Sequence, residues 1–297
     1  GMAVRGGKRD VASGFGLLTA RDAATGQEIW QQNLRTTGTG SPTVFGDLVY
    51  LVSGDEVGWA IDANNGRIRW QIAGTPNNNN VIGAPAPAVS DKYVVFAFGS
   101  GEVQGALRKG GLRRWDAQVA GSRTGFSTAT VADITPDPVI DGRRTYVGSH
   151  SGPTVAHDLE NGERLWTAPD GPLNPVWPAG NSIFMITDRN ELLRLSANDG
   201  SRLWGKALPL FTNAKPRRQN EIYAHHGPIV AGGRLIVVSN DGQMRTFNPQ
   251  NGQLLSELPM PGRATTNPVV AGNTLYVVST QGQSIAFRRP PTAPRPG

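Results

Sequence analysis

The sequence predicts an all-β fold built from one repeated four-stranded antiparallel unit, and three observations support this. A short phrase recurs along the chain, with glycines at positions 26, 66, 111, 162, 200 and 252. Apolar segments alternate with tight turns between those glycines. Helical spacing of apolar residues is nowhere sustained over three turns. A repeat of about 40–50 residues that holds four short strands is typical of one blade of a β-propeller.

The recurring phrase reads Ala-x-Asp-x-x-x-Gly-x-x-x-Trp. Its clear copies run from Ala20 to Trp30, from Ala60 to Trp70 and from Ala156 to Trp166. Three weaker copies are Leu195 to Trp204, Ala106 to Trp115 without the Asp, and Asn251-Gly252 followed by Ser256 in place of Trp.

We interpret the phrase as structural. Glycine after Asn, Asp or Thr supplies the positive φ that a tight hairpin turn needs. The Asp is expected to accept hydrogen bonds from turn N–H groups, and the Trp to pack between adjacent blades. The residues assigned to this framework are Gly26, Trp30, Gly66, Trp70, Trp115, Gly162, Trp166, Gly200, Trp204 and Gly252.

Each unit opens on an apolar segment headed by proline, as in Pro42-Thr43-Val44-Phe45, and continues through a Gly-containing turn into a second apolar segment. Proline is tolerated at the head of a strand because its missing N–H falls outside the ladder. Seven such units can be counted, and the seventh stops after its third strand. We therefore expect a single propeller domain over residues 1–288 and a Pro-rich disordered tail over residues 289–297.

Composition excludes several classes of function. The chain has no cysteine, so disulfides, thiolate zinc sites and cysteine nucleophiles are excluded. The formal net charge is +6. The basic residues are scattered and are not interleaved with exposed aromatic residues, so no nucleic-acid partner is expected. No apolar run approaches the length of a transmembrane helix, about 18 residues.

Several segments resemble the PQQ-like propeller repeat: residues 57–62, 74–76 with 86–89, 174–180, 224–235, and 267–272 with 282–287. Within that repeat family they are most similar to the BamB lipoproteins of the outer-membrane β-barrel assembly machinery, in their alphaproteobacterial form. That family is expected to have eight blades. The resemblance therefore implies that this sequence lacks the first blade and the lipid-bearing leader.

The resemblance also implies a function. It implies a non-catalytic scaffold without a cofactor, periplasmic and associated with the outer membrane. Such a scaffold would dock on the periplasmic domains of a BamA-type protein and help to present nascent outer-membrane β-strands. Contact with the membrane is expected only through a lipid on an N-terminal cysteine that this sequence does not contain.

Two long loops are the expected contact sites. In the first, Asn79, Val81 and Ile82 fall on the positions through which the family touches BamA. The family has a basic residue where Ile82 stands, so an ionic contact is not expected there. In the second, Asp133 matches one acidic contact, and Asp137 can substitute for the other. Both loops can also be read as plain solvated connections. Two further long loops, residues 118–129 and 209–223, could also bind; the second is basic and carries Phe211.

The alternatives are a quinoprotein dehydrogenase that binds PQQ and Ca²⁺ and a propeller that binds peptides or polysaccharides. The first would need clustered Glu, Asn and Asp ligands for Ca²⁺, whereas the acidic residues here mostly belong to the repeat turns. Adjacent side chains on a strand point to opposite faces, so His225 and His226 do not form a ligand pair. We therefore assign no catalytic, cofactor-binding or metal-binding residue.

Overall fold

The computed structural model of the chain describes residues 2–5, 8–12, 16–36, 40–76, 84–119, 134, 136–149, 152–213, 215, 217, 219 and 221–288. These residues form strands and turns, and no α-helix occurs among them. In this part of the chain there is accordingly no helix with the length and hydrophobicity needed to cross a bilayer.

The described strands form seven antiparallel sheets, six with four strands and the last with three. Consecutive strands are neighbours in every sheet. The first sheet contains β1 (Met2–Arg5), β2 (Lys8–Ala12), β3 (Leu17–Asp22) and β4 (Glu28–Asn33), and the second contains β5 (Thr43–Phe45), β6 (Leu48–Val52), β7 (Val57–Asp62) and β8 (Ile68–Ala73). The third contains β9 (Ala88–Val89), β10 (Tyr93–Ala97), β11 (Glu102–Leu107) and β12 (Arg113–Gln118). The fourth contains β13 (Val139–Asp141), β14 (Arg144–Gly148), β15 (Thr154–Asp158) and β16 (Arg164–Ala168).

The other three sheets are β17 (Trp177–Ala179), β18 (Ser182–Ile186), β19 (Glu191–Ser196) and β20 (Arg202–Ala207); β21 (His225–Ala231), β22 (Arg234–Ser239), β23 (Gln243–Phe247) and β24 (Leu254–Pro259); β25 (Val269–Ala271), β26 (Thr274–Val278) and β27 (Ser284–Arg288). This arrangement confirms the seven predicted units and the incomplete seventh.

The chain divides into two compact units, residues 1–175 with 198–200 and residues 176–197 with 201–297. In the first unit, hydrophobic cores lie between the first and second sheets, the second and third, and the third and fourth. In the second unit, a core lies between the sixth and seventh sheets. A sheet that buries both faces needs apolar residues without interruption, and β6 and β10 are buried at every position. The single domain over residues 1–288 stays a prediction, and residues 289–297 lie outside the described ones.

The repeat Asp residues hold the turns between the third and fourth strands. Asp22 Oδ1 accepts hydrogen bonds from the N–H groups of Ala24 (3.0 Å) and Thr25 (2.8 Å). Asp62 Oδ1 accepts from Asn64 N–H at 2.8 Å. Hydrogen bonds from the Thr25 N–H first, and then from its hydroxyl, lower the pKa of Asp22. The predicted role of Asp in the turn is confirmed.

A β-bulge lies at the same place in all six four-stranded sheets. In the second sheet the register shifts between Ala60 and Ile61, so Ala60 faces Trp70 and Ile61 faces Ile68. The other five sheets have the same shift between their third and fourth strands. A bulge adds one residue to a strand and re-aims the side chain that follows it, which is the repeat tryptophan in five sheets and Ser256 in the sixth.

The bulge also corrects the register predicted for the third copy of the phrase. Gly105, not Ala106, pairs with Trp115. A Cβ on Gly105 would overlap the indole ring of Trp115, so this position takes glycine where the three clear copies have alanine. The phrase therefore begins one residue earlier than the sequence suggested.

Each repeat tryptophan lies against the repeat glycine of the following turn. A Cβ built on Gly66 would lie 2.6 Å from Trp30 Cε3, closer than real carbon atoms approach. The same contact pairs Trp70 with Gly111, Trp115 with Gly162, Trp166 with Gly200, and Trp204 with Gly252. These five glycines also have φ between 69° and 75°. Glycine is thus required for two reasons: the backbone at these positions has a positive φ, and the indole ring leaves no room for a Cβ.

The indoles of Trp30, Trp115 and Trp204 also donate a hydrogen bond to the turn that contains the glycine they cover. The acceptor in each turn is the backbone carbonyl three residues before that glycine. The pairs are Trp30 Nε1 with Ala63 O (3.0 Å), Trp115 Nε1 with Leu159 O (2.9 Å), and Trp204 Nε1 with Pro249 O (3.2 Å).

The second sheet departs from this pattern. The carbonyl that corresponds to the other acceptors belongs to Arg108, and it accepts from the hydroxyl of Tyr50 at 3.1 Å. Trp70 Nε1 is buried and has no hydrogen-bond partner among the described residues. The rings of Tyr50 and Trp70 lie in contact, 6.0 Å apart between centroids. Tyr50 has therefore taken the hydrogen bond, and Trp70 contributes packing alone.

Candidate docking surface

The predicted contact residues fall in two groups. Asn79, Val81, Ile82 and Asp133 lie outside the described residues, whereas Asp137 is described. The chain on either side of both loops is described and belongs to the first unit. We call the described residues next to each loop its base, and their contacts show how each loop is held.

The buried carboxylate of Glu102 holds the backbone just before the first loop, residues 77–83. Glu102 Oε2 accepts from Thr75 N–H at 2.6 Å, and its Oε1 accepts from the Gln104 amide at 2.6 Å. Gln104 Nε2 also donates to Ala73 O at 3.0 Å. Burial by itself would raise the pKa of Glu102, but the hydrogen bonds from Gln104 and Thr75 outweigh it and lower the pKa. Glu102 is thus ionised at neutral pH and fixes the chain just before the loop.

The first loop ends at a base that is joined to the second loop. Ala86 N–H donates to Asp137 Oδ1 at 2.7 Å. Burial raises the pKa of Asp137, and the hydrogen bond from Ala86 opposes this only in part. This hydrogen bond is internal, and it ties residues 84–87 to residues 136–138.

Between β12 and the second contact loop, residues 133–137, the chain is anchored in one hydrophobic core at its described ends, Val119 and Ile134. Val119 and Ile134 are both 1% exposed and belong to the cluster between the third and fourth sheets. Val119 N–H also donates to Gly101 O at 2.9 Å. With the Ala86–Asp137 hydrogen bond, the bases of both predicted contact loops lie side by side in the first unit.

In a third long loop, residues 209–223, the two ends pair with each other, and we call the described residues of this loop the ribbon. Phe211 and Ile222 pair as an antiparallel bridge. Thr212 N–H donates to Glu221 O at 3.0 Å, and Tyr223 N–H donates to Leu210 O at 2.8 Å. The ribbon belongs to the second unit.

Two buried side chains brace the base of the ribbon. Asn190, in the turn after β18, has φ of 55° and donates from Nδ2 to Tyr223 O (2.8 Å) and to Pro209 O (3.2 Å). His225 Nε2 donates to Pro209 O at 2.8 Å, and its Nδ1 lies 2.5 Å from Ser239 Oγ. Burial lowers the pKa of His225, so it is neutral and its Nδ1 accepts from the Ser239 hydroxyl.

The ribbon presents apolar and cationic side chains to solvent. Phe211 is 37% exposed and Ile222 is 53% exposed. Lys215 and Arg217 are exposed, and Asn213 Oδ1 accepts from Lys215 N–H at 2.9 Å. A cavity of about 550 Å³ lies beside the ribbon and is lined by Thr212, Glu221, Ile222, Tyr223, Asn240, Asp241 and Arg263.

Two buried histidines, His157 and His225, are placed for structure. His157 is 1% exposed, stacks on Trp115 with 5.9 Å between ring centroids, and its Nδ1 contacts Gly162 O at 3.0 Å. Burial lowers its pKa as it does that of His225. Within the described residues, no group of three or more His, Asp or Glu side chains is arranged to hold a metal ion.

A second groove, of about 650 Å³, is lined by Arg245 and by residues of β20 and β24. Arg245 is buried and lies 2.6 Å from both Asp241 Oδ2 and Glu257 Oε1. Two carboxylates thus already neutralise its charge, and the guanidinium is a poor anchor for an anionic cofactor such as a quinone carboxylate.

Sequence reasoning missed the residues that brace these loops. Glu102 and Gln104 stand in an ordinary strand pattern and carry no local signal. The role of Asn190 could have been predicted from the sequence. Asn190 lies at a turn position with positive φ where other sheets have glycine: Gly101, Gly242 and Gly282. A non-glycine residue there indicates that the side chain is needed, since αL is costly for most residues.

Comparison with known proteins agrees with this geometry. The sequence matches the family model described as "Outer membrane protein assembly factor BamB" over residues 1–206 and 214–293. The protein of that name from Yersinia pestis is 24% identical over 260 residues, which cover 86% of this chain and 63% of that protein. The protein from Escherichia coli K12 is 20% identical over 292 residues, which cover 82% of this chain and 72% of that protein. The chain thus spans about two thirds of the length of these relatives.

Solved structures show the same fold. The crystal structure of BamB from Moraxella catarrhalis superposes with a TM-score of 0.81 and 21% identity, over 96% of this chain and 82% of that one. A europium-containing methanol dehydrogenase gives a TM-score of 0.67 at 12% identity, over 97% of this chain and 78% of that one. The predicted β-propeller of four-stranded blades is confirmed.

The family match covers nearly the whole chain, and the fold agrees with it. The repeat contacts of the described residues are those of a packed propeller. This chain belongs to the BamB family of outer membrane protein assembly factors.

Proposed function

We propose that this chain is a non-catalytic scaffold of the machinery that assembles β-barrel proteins in the outer membrane. It works in the periplasm at the outer membrane and docks on the periplasmic domains of a BamA-type protein. The residues that make the contact are Asn79, Val81, Ile82 and Asp133, with Asp137 beside them. Nascent outer-membrane β-strands are its indirect clients.

The observation that carries the proposal is the hydrogen bond between Ala86 N–H and Asp137 Oδ1. It holds the chain after loop 77–83 against the second contact loop, residues 133–137, so residues from both loops can serve one contact surface. Glu102 and the core around Val119 and Ile134 fix the other ends of the two loops. Loops held on a rigid scaffold are the usual recognition elements of propellers.

A binding measurement tests the proposal. The affinity of the chain for purified periplasmic domains of a BamA-type protein is compared with that of a variant carrying Val81→Asp and Asp133→Arg. We expect the variant to bind at least tenfold more weakly, because it places a charge at an apolar contact and reverses an acidic one.

The matched control carries Leu112→Asp and Asp91→Arg. Leu112 is 60% exposed and Asp91 is exposed, and both lie in turns at the end of the third sheet opposite Val119. The control should keep the wild-type affinity. Equal binding by all three proteins would remove the site assignment, and failure of the folded wild-type chain to bind would remove the partner.

The similarity to quinoprotein dehydrogenases supports only a shared fold, because the sequence identity to the europium-containing methanol dehydrogenase is 12%. Catalysis is tested by adding PQQ and Ca²⁺ and measuring the melting temperature. A scaffold without a cofactor site should not be stabilised, whereas a ligand that binds the native state raises the melting temperature. A saturable increase would contradict the proposal.

A further inference from the structure

We propose that the ribbon of residues 209–223 binds the surface of a lipid bilayer that contains anionic phospholipids. This inference concerns the second unit and does not depend on loop 77–83 or on the second contact loop, residues 133–137. It gives the chain a direct contact with a membrane, separate from any docking on a protein.

The charge of the ribbon favours an anionic surface. Lys215 and Arg217 are exposed, and the sequence places Arg218 next to them. Glu221 is the one acidic residue in the sequence of the ribbon. The whole chain carries a formal net charge of +6, which also favours an anionic partner.

The apolar residues of the ribbon suit a bilayer interface. Phe211 and Ile222 are bridge partners, so their exposed side chains lie at one level of the ribbon. An aromatic and an aliphatic side chain next to basic residues are the composition that inserts into the headgroup region. Each Lys or Arg close to an anionic leaflet contributes about 1 kcal/mol, which is about fivefold in partitioning.

Because both ends of the ribbon are held in place, the ribbon presents its basic and apolar side chains without refolding. Asn190 and His225 fix both of its ends through Pro209 and Tyr223. Little conformational freedom is then lost on binding, and so more of the contact energy remains as affinity.

A bilayer fits the surroundings of the ribbon better than a shaped protein partner does. The cavity beside it is lined mainly by polar and charged groups, including Glu221, Asp241 and Arg263. Such a cavity is a poor socket for an apolar anchor from another protein, since protein hot spots sit in well-packed, desolvated pockets. A lipid interface needs no matching socket.

The test is sedimentation with vesicles. The full chain is mixed with vesicles of phosphatidylcholine alone, or of phosphatidylcholine with phosphatidylglycerol, at low and high salt. We expect binding to the anionic vesicles at low salt and much less at high salt or without phosphatidylglycerol. The variant Lys215→Gln with Arg217→Gln should partition about 30-fold more weakly, and Phe211→Ser with Ile222→Ser at least several-fold more weakly.

Two matched controls remove the same chemistry elsewhere. Arg67→Gln with Lys109→Gln neutralises two exposed cations of the first unit, and Ile68→Ser with Leu112→Ser removes two exposed apolar side chains. Both controls should keep wild-type binding, and all variants should keep the wild-type circular dichroism spectrum. Equal loss in the controls, or no binding of the folded wild-type chain to anionic vesicles, would overturn the inference. So would ribbon variants that bind vesicles normally but lose affinity for an acidic protein.

Discussion

Asp137 illustrates how a residue that sequence reasoning assigns to a partner can carry an internal contact. Its carboxylate accepts the N–H of Ala86, and burial raises its pKa. The charge therefore opposes folding at neutral pH, while the hydrogen bond supports it. Removing the charge and removing the acceptor should have opposite effects.

Asp137→Asn should be at least as stable as the wild type at pH 7, and Asp137→Ala should lose about 1–3 kcal/mol by leaving the Ala86 N–H unpaired. Burial raises the pKa of Asp137 in the folded state above its value of 3.8 in the unfolded chain. Protonation of Asp137 therefore stabilises the fold fully below pH 3.8, and this stabilisation is lost as the pH rises through the folded-state pKa. Asn resembles the protonated acid at every pH. Urea unfolding at pH 3 and pH 7 measures this, and Asp137→Asn less stable than Asp137→Ala at pH 7 would contradict it.

Tyr50 is the second informative residue. It is fully buried, and burial raises its pKa to about 12 even though the side chain of Arg108 opposes the shift, first through hydrogen bonding and then through its charge. Its protonated form is therefore favoured in the folded state. Its contribution to stability is complete below pH 10 and is lost between pH 10 and about 12.

Tyr50→Phe should flatten that alkaline loss of stability. At pH 7 the same variant should cost no more than about 1 kcal/mol, because the Arg108 carbonyl then becomes available to the indole of Trp70. Chemical denaturation at pH 8, 10 and 11.5 compares the two proteins. Identical pH dependence in both would show that Tyr50 does not carry the effect.

At the scale of the structural element, the repeat works through the contact between a tryptophan and the glycine of the next turn. Gly66 and Gly26 have almost the same φ, 73° and 74°. A Cβ on Gly66 would meet Trp30, whereas a Cβ on Gly26 would meet nothing within 4 Å. The two positions therefore separate backbone strain from packing.

Gly26→Ala should cost about 1 kcal/mol, from the left-handed backbone alone. Gly66→Ala should cost about 2–5 kcal/mol, because it adds overpacking against the Trp30 indole. Thermal and urea unfolding give both values. If the two variants lose equal stability, the Trp–Gly contact does not hold neighbouring sheets together.

The ribbon gives a prediction for a loop. Asn190→Gly keeps a residue that tolerates φ of 55° but removes both hydrogen bonds to Pro209 and Tyr223. The N–H groups of Thr212 and Tyr223 should then exchange with deuterium about tenfold faster or more, while amides of β6 exchange as in the wild type. Unchanged exchange in the ribbon would show that Asn190 does not brace it.

Much of this architecture could be predicted from the sequence, because turns and apolar strands have local signals. The repeat glycines, the short seventh unit and most of the Pro-headed strands follow from residue type and spacing. The sixth unit is the exception, because β21 begins at His225 and Pro228 lies inside the strand at a register shift. The bulge beside each tryptophan could not be predicted, and its omission placed the third copy at Ala106 instead of Gly105. Glu102 and His225 act through partners far along the chain, and a single sequence carries no signal for such contacts.

At the scale of the whole molecule, the central proposal is that two loops of the propeller share one docking surface. Asp137 ties the two loops together and the second is anchored in the core between the third and fourth sheets, whereas the buried His157 and His225 contact internal partners. Asn79, Val81, Ile82 and Asp133 lie outside the described residues, so their contacts stay a prediction. That prediction is specific to position, and a position-specific probe tests it best.

Site-specific cross-linking is the most direct measurement. The chain has no cysteine, so a single one introduced at Asn79, Asp133 or the control position Leu112 can carry a photoreactive group without side reactions. Illumination with the periplasmic domains of a BamA-type protein should give cross-links from positions 79 and 133 and none from 112. Cross-links from 112 alone, or equal yields from all three positions, would contradict the shared docking surface.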